Sequence, residues 1–190
     1  MGDLMKVGDK VPDLDFDVYQ DDEIKRVNLS DYRGRWLVLA FYPADFTFVC
    51  PTELAELAGL HADFRKQGAE IVSMSTDSAY VHKAWHETSP LVKKVKYQMG
   101  ADQTHKVCVA FGTEIEKEGV SLRATFIIDP EGVVKSIEMH DNSIGRNANE
   151  ILRKLQASLF VSKNKGMVCP ASWSPGKEAM KPSTKLVGKI

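Results

Sequence analysis

Two apolar runs joined by an amphipathic stretch constrain this chain more than any other feature. Trp36 to Tyr42 is bounded by a Gly-Arg turn and by Pro43, and reads as a buried strand. From Cys50 to Lys66, the positions Leu54, Leu57, Ala58, His61 and Phe64 fall on one side of a helix, and Gly68 is its stop signal. Glu70 to Ser75 is a second apolar run. Asp77 or Ser78 then caps a helix carrying Tyr80, Val81, Ala84 and Trp85. Strand, helix, strand, helix in this order predicts a βαβ unit with parallel neighbouring strands.

The flanking segments extend this pattern. Short β signals at Leu14–Tyr19 and Ile24–Asn28 surround the acidic turn Gln20-Asp21-Asp22-Glu23. Thr104–Phe111 reads as a short helix stopped at Gly112. Arg123–Ile128 and Val133–Met139 flank Asp129-Pro130-Glu131-Gly132, whose proline and glycine suit a turn, and predict an antiparallel hairpin. Asn147-x-x-Glu150 approximates a capping box for a helix with Ile151, Leu152, Leu155 and Leu159 on its core face. The expectation is a mixed α/β sheet covered by helices.

From Ser162 onward the character changes. Lys163, Lys165, Lys177, Lys181, Lys185 and Lys189 face a single acid, Glu178, and prolines and glycines interrupt any periodicity. Alone, this reads as a solvated, partly mobile tail. Cys169 and Trp173 argue against that, because a disposable tail gains nothing from exposing both. The division expected is residues 1–161 as one domain and 162–190 as a tail.

A net charge of −1 gives no basic field to attract nucleic acid or an anionic membrane. No apolar run approaches the length of a membrane span. The first residues lack a hydrophobic signal core, and Lys6 stands where an N-myristoylation signal after Gly2 wants Ser or Thr. A cytoplasmic location is expected. Cys50, Cys108 and Cys169 include no Cys-x-x-Cys pair, which argues against a thioredoxin-type dithiol and against common zinc motifs. His82 and His86 have the i, i+4 spacing of a helical metal pair, but no further ligand completes a site. A partly exposed helix face is the simpler reading.

Cys50 stands out chemically. It precedes Pro51, which is tolerated only near a helix start, so Cys50 lies in or beside the first turn. There the helix dipole and free N–H groups favour a thiolate. The bland alternative is a small buried hydrophobe, the usual fate of a free cysteine.

Pro43-x-x-x-Thr47-x-x-Cys50 resembles the active-site signature of the peroxiredoxins, and Val49-Cys50-Pro51 is the form typical of their two-cysteine members. Val168-Cys169-Pro170-Ala171-x-Trp173 resembles their resolving-cysteine motif, and Leu122–Asp129 their arginine strand. Leu186–Ile190 resembles the end of the bacterial alkyl hydroperoxide reductase peroxidase subunit, a subfamily of that group. The resemblance covers essentially the whole chain. It implies a thioredoxin-like fold with a peroxiredoxin N-terminal hairpin and a C-terminal tail.

It also implies roles. Cys50 is the peroxidatic cysteine and attacks one peroxide oxygen. Arg123 supplies a cation that favours the thiolate and polarises the peroxide. Thr47 offers a hydroxyl to orient it, and Pro43 shields Cys50 from water. Arg123 sits in an apolar strand, where it needs a buried partner. Glu53, one turn into the helix, suits that role. Arg146 matches a second family arginine, with an exposed surface arginine as the equal alternative. The Cys50 sulfenic acid then condenses with Cys169 of a partner subunit. Cys108 matches no family position and reads as a buried, inert thiol.

The function implied is reduction of hydrogen peroxide and organic hydroperoxides to water and alcohols. No metal, heme, flavin or other cofactor is required. A separate disulfide reductase, either a flavoprotein or a thioredoxin-like donor, recycles the enzyme, and homodimers assemble into a decamer. One rival is a protein disulfide oxidoreductase, which the missing Cys-x-x-Cys opposes. The other is a non-enzymatic holdase or redox scaffold, for which Cys169 and its motif are superfluous. Members sensitive to overoxidation carry a Gly-Gly-Leu-Gly loop and a Tyr-Phe C-terminal helix. This chain has Ser89–Lys96 in the loop region and no aromatic residue after Trp173, so resistance is expected.

Overall fold

The computed structural model describes residues 5–189. Gly2 and Ile190, invoked above, lie outside the described residues. Nine strands form among the described residues. They are β1 (Asp15–Gln20), β2 (Glu23–Asn28), β3 (Trp36–Phe41), β4 (Ala69–Ser75), β5 (Gln98–Ala101), β6 (Glu114–Ile115), β7 (Val120–Ser121), β8 (Arg123–Ile128) and β9 (Val134–His140). The helices are α1 (Cys50–Lys66), α2 (Ala79–Thr88), α3 (Lys106–Phe111) and α4 (Ala148–Lys163). Seven strands make one sheet in the order β2-β1-β5-β4-β3-β8-β9, and β6 and β7 form a separate small ribbon.

The βαβ expectation holds. β3 pairs in parallel with β4, and α1 is the crossover between them. β3 pairs antiparallel with β8, and β8 with β9. At the other edge β1 is antiparallel to both β2 and β5. Every residue of β3 is buried because the sheet is covered on both faces. Val38, Ala40 and Tyr42 pack with Leu54, Leu57, Phe64, Ile151 and Leu155 of α1 and α4. Leu37, Leu39 and Phe41 face Phe126 of β8 and Val107 and Phe111 of α3.

β5 was not anticipated. Its four residues, Gln98-Met99-Gly100-Ala101, are too short and too uniform to show alternation. Gly100 is needed there, because a Cβ would lie 2.7 Å from Met74 Cε and 3.0 Å from the Ser73 carbonyl. α2 is also rotated from the expected phase. Ser78, not Asp77, is its cap, accepting from the Val81 amide. Ala79, His82 and Trp85 therefore turn inward, whereas Tyr80 is 76% exposed. The expectation that His82 lies on a partly exposed face is overturned: its side chain is fully buried.

The tail folds back on α4. Val168 and Met180 form an antiparallel bridge. Trp173 is buried against Phe160, with ring centroids 4.8 Å apart, and its indole N–H donates to the Lys177 carbonyl. Arg153 of α4 donates to the Trp173 carbonyl at 2.8 Å. No helix among the described residues is long and apolar enough to cross a membrane.

Candidate active site

β3 and β8 run antiparallel, with Phe41 opposite Ala124. The end of β3, which leads into α1, therefore lies beside the start of β8, which carries Arg123. Cys50 is the first residue of α1 and is fully buried. No side chain caps this helix, and Pro51 follows at its start as expected. The Arg123 Nη1 lies 3.3 Å from the Cys50 sulfur and donates to Glu53 Oε2 at 2.8 Å.

Arg146 is not an exposed surface arginine, because it is buried against the same carboxylate. Its backbone N–H and Nε donate to Glu53 Oε1 at 2.7 and 2.8 Å, and Nη2 donates to Oε2 at 3.0 Å. Its Nη1 donates to the Ala124 carbonyl and to Thr125 Oγ1. Burial alone would raise the Glu53 carboxyl. The hydrogen bonds and charge of Arg146, joined by the charge of Arg123, outweigh burial and hold it below the ordinary carboxylate value. Two guanidinium groups and one carboxylate leave one positive charge beside the Cys50 sulfur. A thiolate there would complete a neutral buried cluster.

Two further residues shape this corner and were not singled out from sequence. The Asn142 side chain accepts from the Arg123 backbone N–H, and its carbonyl accepts from Arg123 Nε at 2.9 Å. Gly145 lets the loop before Arg146 approach Val49, since a Cβ there would meet Val49 Cγ1 at 3.2 Å. A lone Asn and a lone Gly in a polar loop carry no local signal of this role. Pro43 and Thr47 are half-buried in the segment between β3 and α1. The Thr47 hydroxyl donates to the Ala44 carbonyl at 2.8 Å, which fixes the turn and leaves its lone pairs free to accept.

Cys169 is not brought to this site. It lines a cavity of about 580 Å³ with Trp36, Asp129, Lys135, Ala157 and Val161. Trp36 opens β3, whose 6 residues span ~20 Å, and the Cys50 turn lies beyond the opposite end. Asp129 likewise follows the far end of β8 from Arg123. Within one chain the two sulfurs occupy opposite ends of the sheet. Burial raises the Cys169 thiol above its ordinary range, partly offset by the charge of Arg153. Cys108 is fully buried in α3, and burial followed by the Asp102 carboxylate pushes its thiol far up. Among the described residues, no group of three or more His, Cys, Asp or Glu side chains could hold a metal ion.

Comparison with known proteins matches residues 7–137 to the model of the AhpC/TSA family. The chain belongs to that family. As a peroxiredoxin, it is an oxidoreductase with a thioredoxin-like fold. Residues 160–189 of this peroxiredoxin match the model described as the C-terminal domain of 1-Cys peroxiredoxin, and that segment contains Cys169. Alkyl hydroperoxide reductase C of Pseudomonas aeruginosa is 46% identical over 86% of this chain and 88% of its own length. The protein of that name from Salmonella typhimurium is 42% identical over 97% of this chain and 98% of its own length. The crystal structure of Enterococcus faecalis AhpC superposes with a TM-score of 0.85 at 44% identity, covering 88% of this chain and 100% of that one. The reduced 2-Cys peroxiredoxin of Plasmodium vivax superposes with a TM-score of 0.88 at 35% identity, covering 94% of each chain.

Proposed function

We propose that this peroxiredoxin reduces hydrogen peroxide and organic hydroperoxides to water and alcohols, with Cys50 as the peroxidatic cysteine. The observation that carries the reading is the Arg123 Nη1, held by Glu53 and standing 3.3 Å from the Cys50 sulfur. The names of the curated relatives support the substrate class.

The Cys50 thiolate attacks one peroxide oxygen. The O–O bond breaks, and the other oxygen leaves as hydroxide or alkoxide and takes up a proton. Arg123 stabilises the charge that develops on the oxygens. Thr47 accepts from, and so orients, the peroxide, and Pro43 keeps water from the turn. Glu53 and Arg146 hold Arg123 in place.

Cys50 becomes a sulfenic acid. The Cys169 thiol of a partner subunit then attacks that sulfur and releases water, leaving an intersubunit disulfide. The placement of the two sulfurs at opposite ends of one chain's sheet supports resolution between subunits. In this reading residues 1–161 form the peroxidase unit and 162–190 a tail that presents Cys169. A separate disulfide reductase, a flavoprotein or a thioredoxin-like donor, returns the pair to thiols in the cytoplasm.

Homodimers assemble further into a decamer. Phe46, Phe48 and Tyr80, exposed by 58, 92 and 76%, are large apolar side chains that such assembly would cover. The test is titration of the reduced protein with peroxide, followed by nonreducing electrophoresis and intact mass. One equivalent per Cys50 should yield a disulfide-linked dimer. Peroxide consumption without cysteine oxidation would refute the reading.

A further inference from the structure

The end of β3 carries a buried polar cluster that the proposed chemistry does not use. The Asp45 and His82 side chains are both 0% exposed, and Tyr42 lies beside them, equally buried. The Tyr42 hydroxyl donates to Asp45 Oδ1 at 2.7 Å. His82 Nδ1 lies 2.7 Å from Asp45 Oδ2, and its Nε2 lies 3.0 Å from the Gly100 carbonyl of β5. The Asp45 amide donates to Asp77 Oδ2, which also accepts from Ser75 Oγ. Trp85 closes the cluster from α2 by packing on Tyr42. Among the described residues, no lysine or arginine pairs with Asp45, so His82 is its one ionic partner.

Hydrogen-bond inventory counts the protons here. A carbonyl oxygen only accepts, so Nε2 carries a hydrogen. An ionised carboxylate also only accepts, and two lone pairs facing each other at 2.7 Å repel. A proton therefore lies between Nδ1 and Oδ2. An imidazole ordinarily holds a proton far more tightly than a carboxyl does, which places it on the ring, in a charge-assisted bond.

This pair joins the hydrogen bond from the Asp45 amide to Asp77 in tying down the segment that leads to Cys50. Asp45 lies midway between Pro43 and Thr47, on the approach to Cys50. The next residue, Phe46, has φ 55, a left-handed conformation that a bulky side chain disfavours. Its ring rests on Trp85 at 5.9 Å, on the same helix as His82, yet it and Phe48 bury little apolar surface. A segment with a strained residue and two exposed aromatic rings opens more readily unless something anchors it.

We propose that His82 is a positioning residue: through one buried proton shared with Asp45, it clamps residues 43–49 over the folded Cys50 turn. Its consequence for turnover rests on Cys50 being the peroxidatic cysteine. The clamped segment keeps Cys50 where it meets peroxide, and the opened one frees it for disulfide formation.

The test needs no peroxide. Nitrogen-15 spectra of the intact reduced protein near neutral pH should show both His82 ring nitrogens protonated, and an unprotonated Nδ1 would overturn the proposal. Hydrogen exchange across residues 43–50, corrected for its intrinsic rate and compared at equal assembly state, should show these amides protected. In His82→Gln, protection at neutral pH should drop about 10- to 100-fold, the worth of a hydrogen bond to a charged group. Asp45→Asn should behave alike and substitutes if His82→Gln does not fold. Wild-type protection in either folded variant would also overturn the clamp. A separate failure, turnover surviving in Cys50→Ser, would remove the functional reading and leave these measurements intact.

Discussion

The Arg123 guanidinium reaches the Cys50 sulfur at 3.3 Å from a strand that is otherwise apolar and buried. Glu53 and Asn142 fix the arginine from two sides, so it is aimed before substrate arrives. Preorganised charge of this kind acts where negative charge develops in the transition state. Arg123→Ala should leave the fold intact and slow the peroxide step by roughly 10²–10³-fold, if the cation behaves like one oxyanion donor. Stopped-flow measurement of the second-order rate constant checks this, and an unchanged constant would sink the role.

Glu53 is the shared partner of two buried arginines, so its loss leaves both uncompensated. Glu53→Gln should destabilise the protein by about 3–5 kcal/mol, the cost of breaking a buried ion pair from one side, measurable by denaturant unfolding. The pH dependence has a definite sign. The folded carboxyl is held below its ordinary value, so its contribution is fully present above the unfolded value near ~4.3. It is lost as pH falls through the lower folded value. Wild type should lose stability over that acid range more steeply than Glu53→Gln, and parallel acid curves would contradict the linkage.

Much of this was readable from residue pattern. α1 runs from Cys50 to Lys66 and Gly68 follows its end, as the apolar spacing and stop signal indicated. The β8–β9 hairpin and the Asn147 cap of α4 also follow local chemistry. β5 escaped because its partners, β1 and β4, are distant in sequence and its own residues do not alternate. His82 was misplaced because spacing gives a helix its face only once its start is known, and Ser78 sets the phase. Asn142 shows a deeper limit. Its role comes from meeting Arg123 across many residues of sequence, which no local signal encodes, whereas Arg146 was found only through its match to a family arginine.

Cys108 should be a bystander. It is fully buried, its amide is tied to the Asp102 carboxylate at 2.7 Å, and its thiol is held protonated. Cys108→Ser should match wild type in peroxide rate and in disulfide formation. A disulfide dimer that persists in Cys169→Ser but disappears when Cys108 is also replaced would reverse this assignment.

The enzyme should resist overoxidation. Ser89–Lys96 holds only a short 3-10 turn at Val92–Lys94, and residues 174–189 offer no aromatic side chain to cover the Cys50 turn. The turn should open fast enough for Cys169 to capture the sulfenic acid before a second peroxide does. During turnover with a recycling reductant, Cys50 should stay mostly unmodified even at millimolar peroxide. A dominant species heavier by about 32 Da, the two oxygens of a sulfinic acid, at low micromolar peroxide would contradict this.

Peptide mapping of the protein after one equivalent of peroxide per Cys50 tests the central claim most directly. The account predicts a single Cys50–Cys169 linkage that joins two chains, absent from Cys50→Ser and from Cys169→Ser. In Cys169→Ser, Cys50 should be trapped as the sulfenic acid. A linkage within one chain, or oxidation that begins at Cys169 or Cys108 while Cys50 stays reduced, would contradict it.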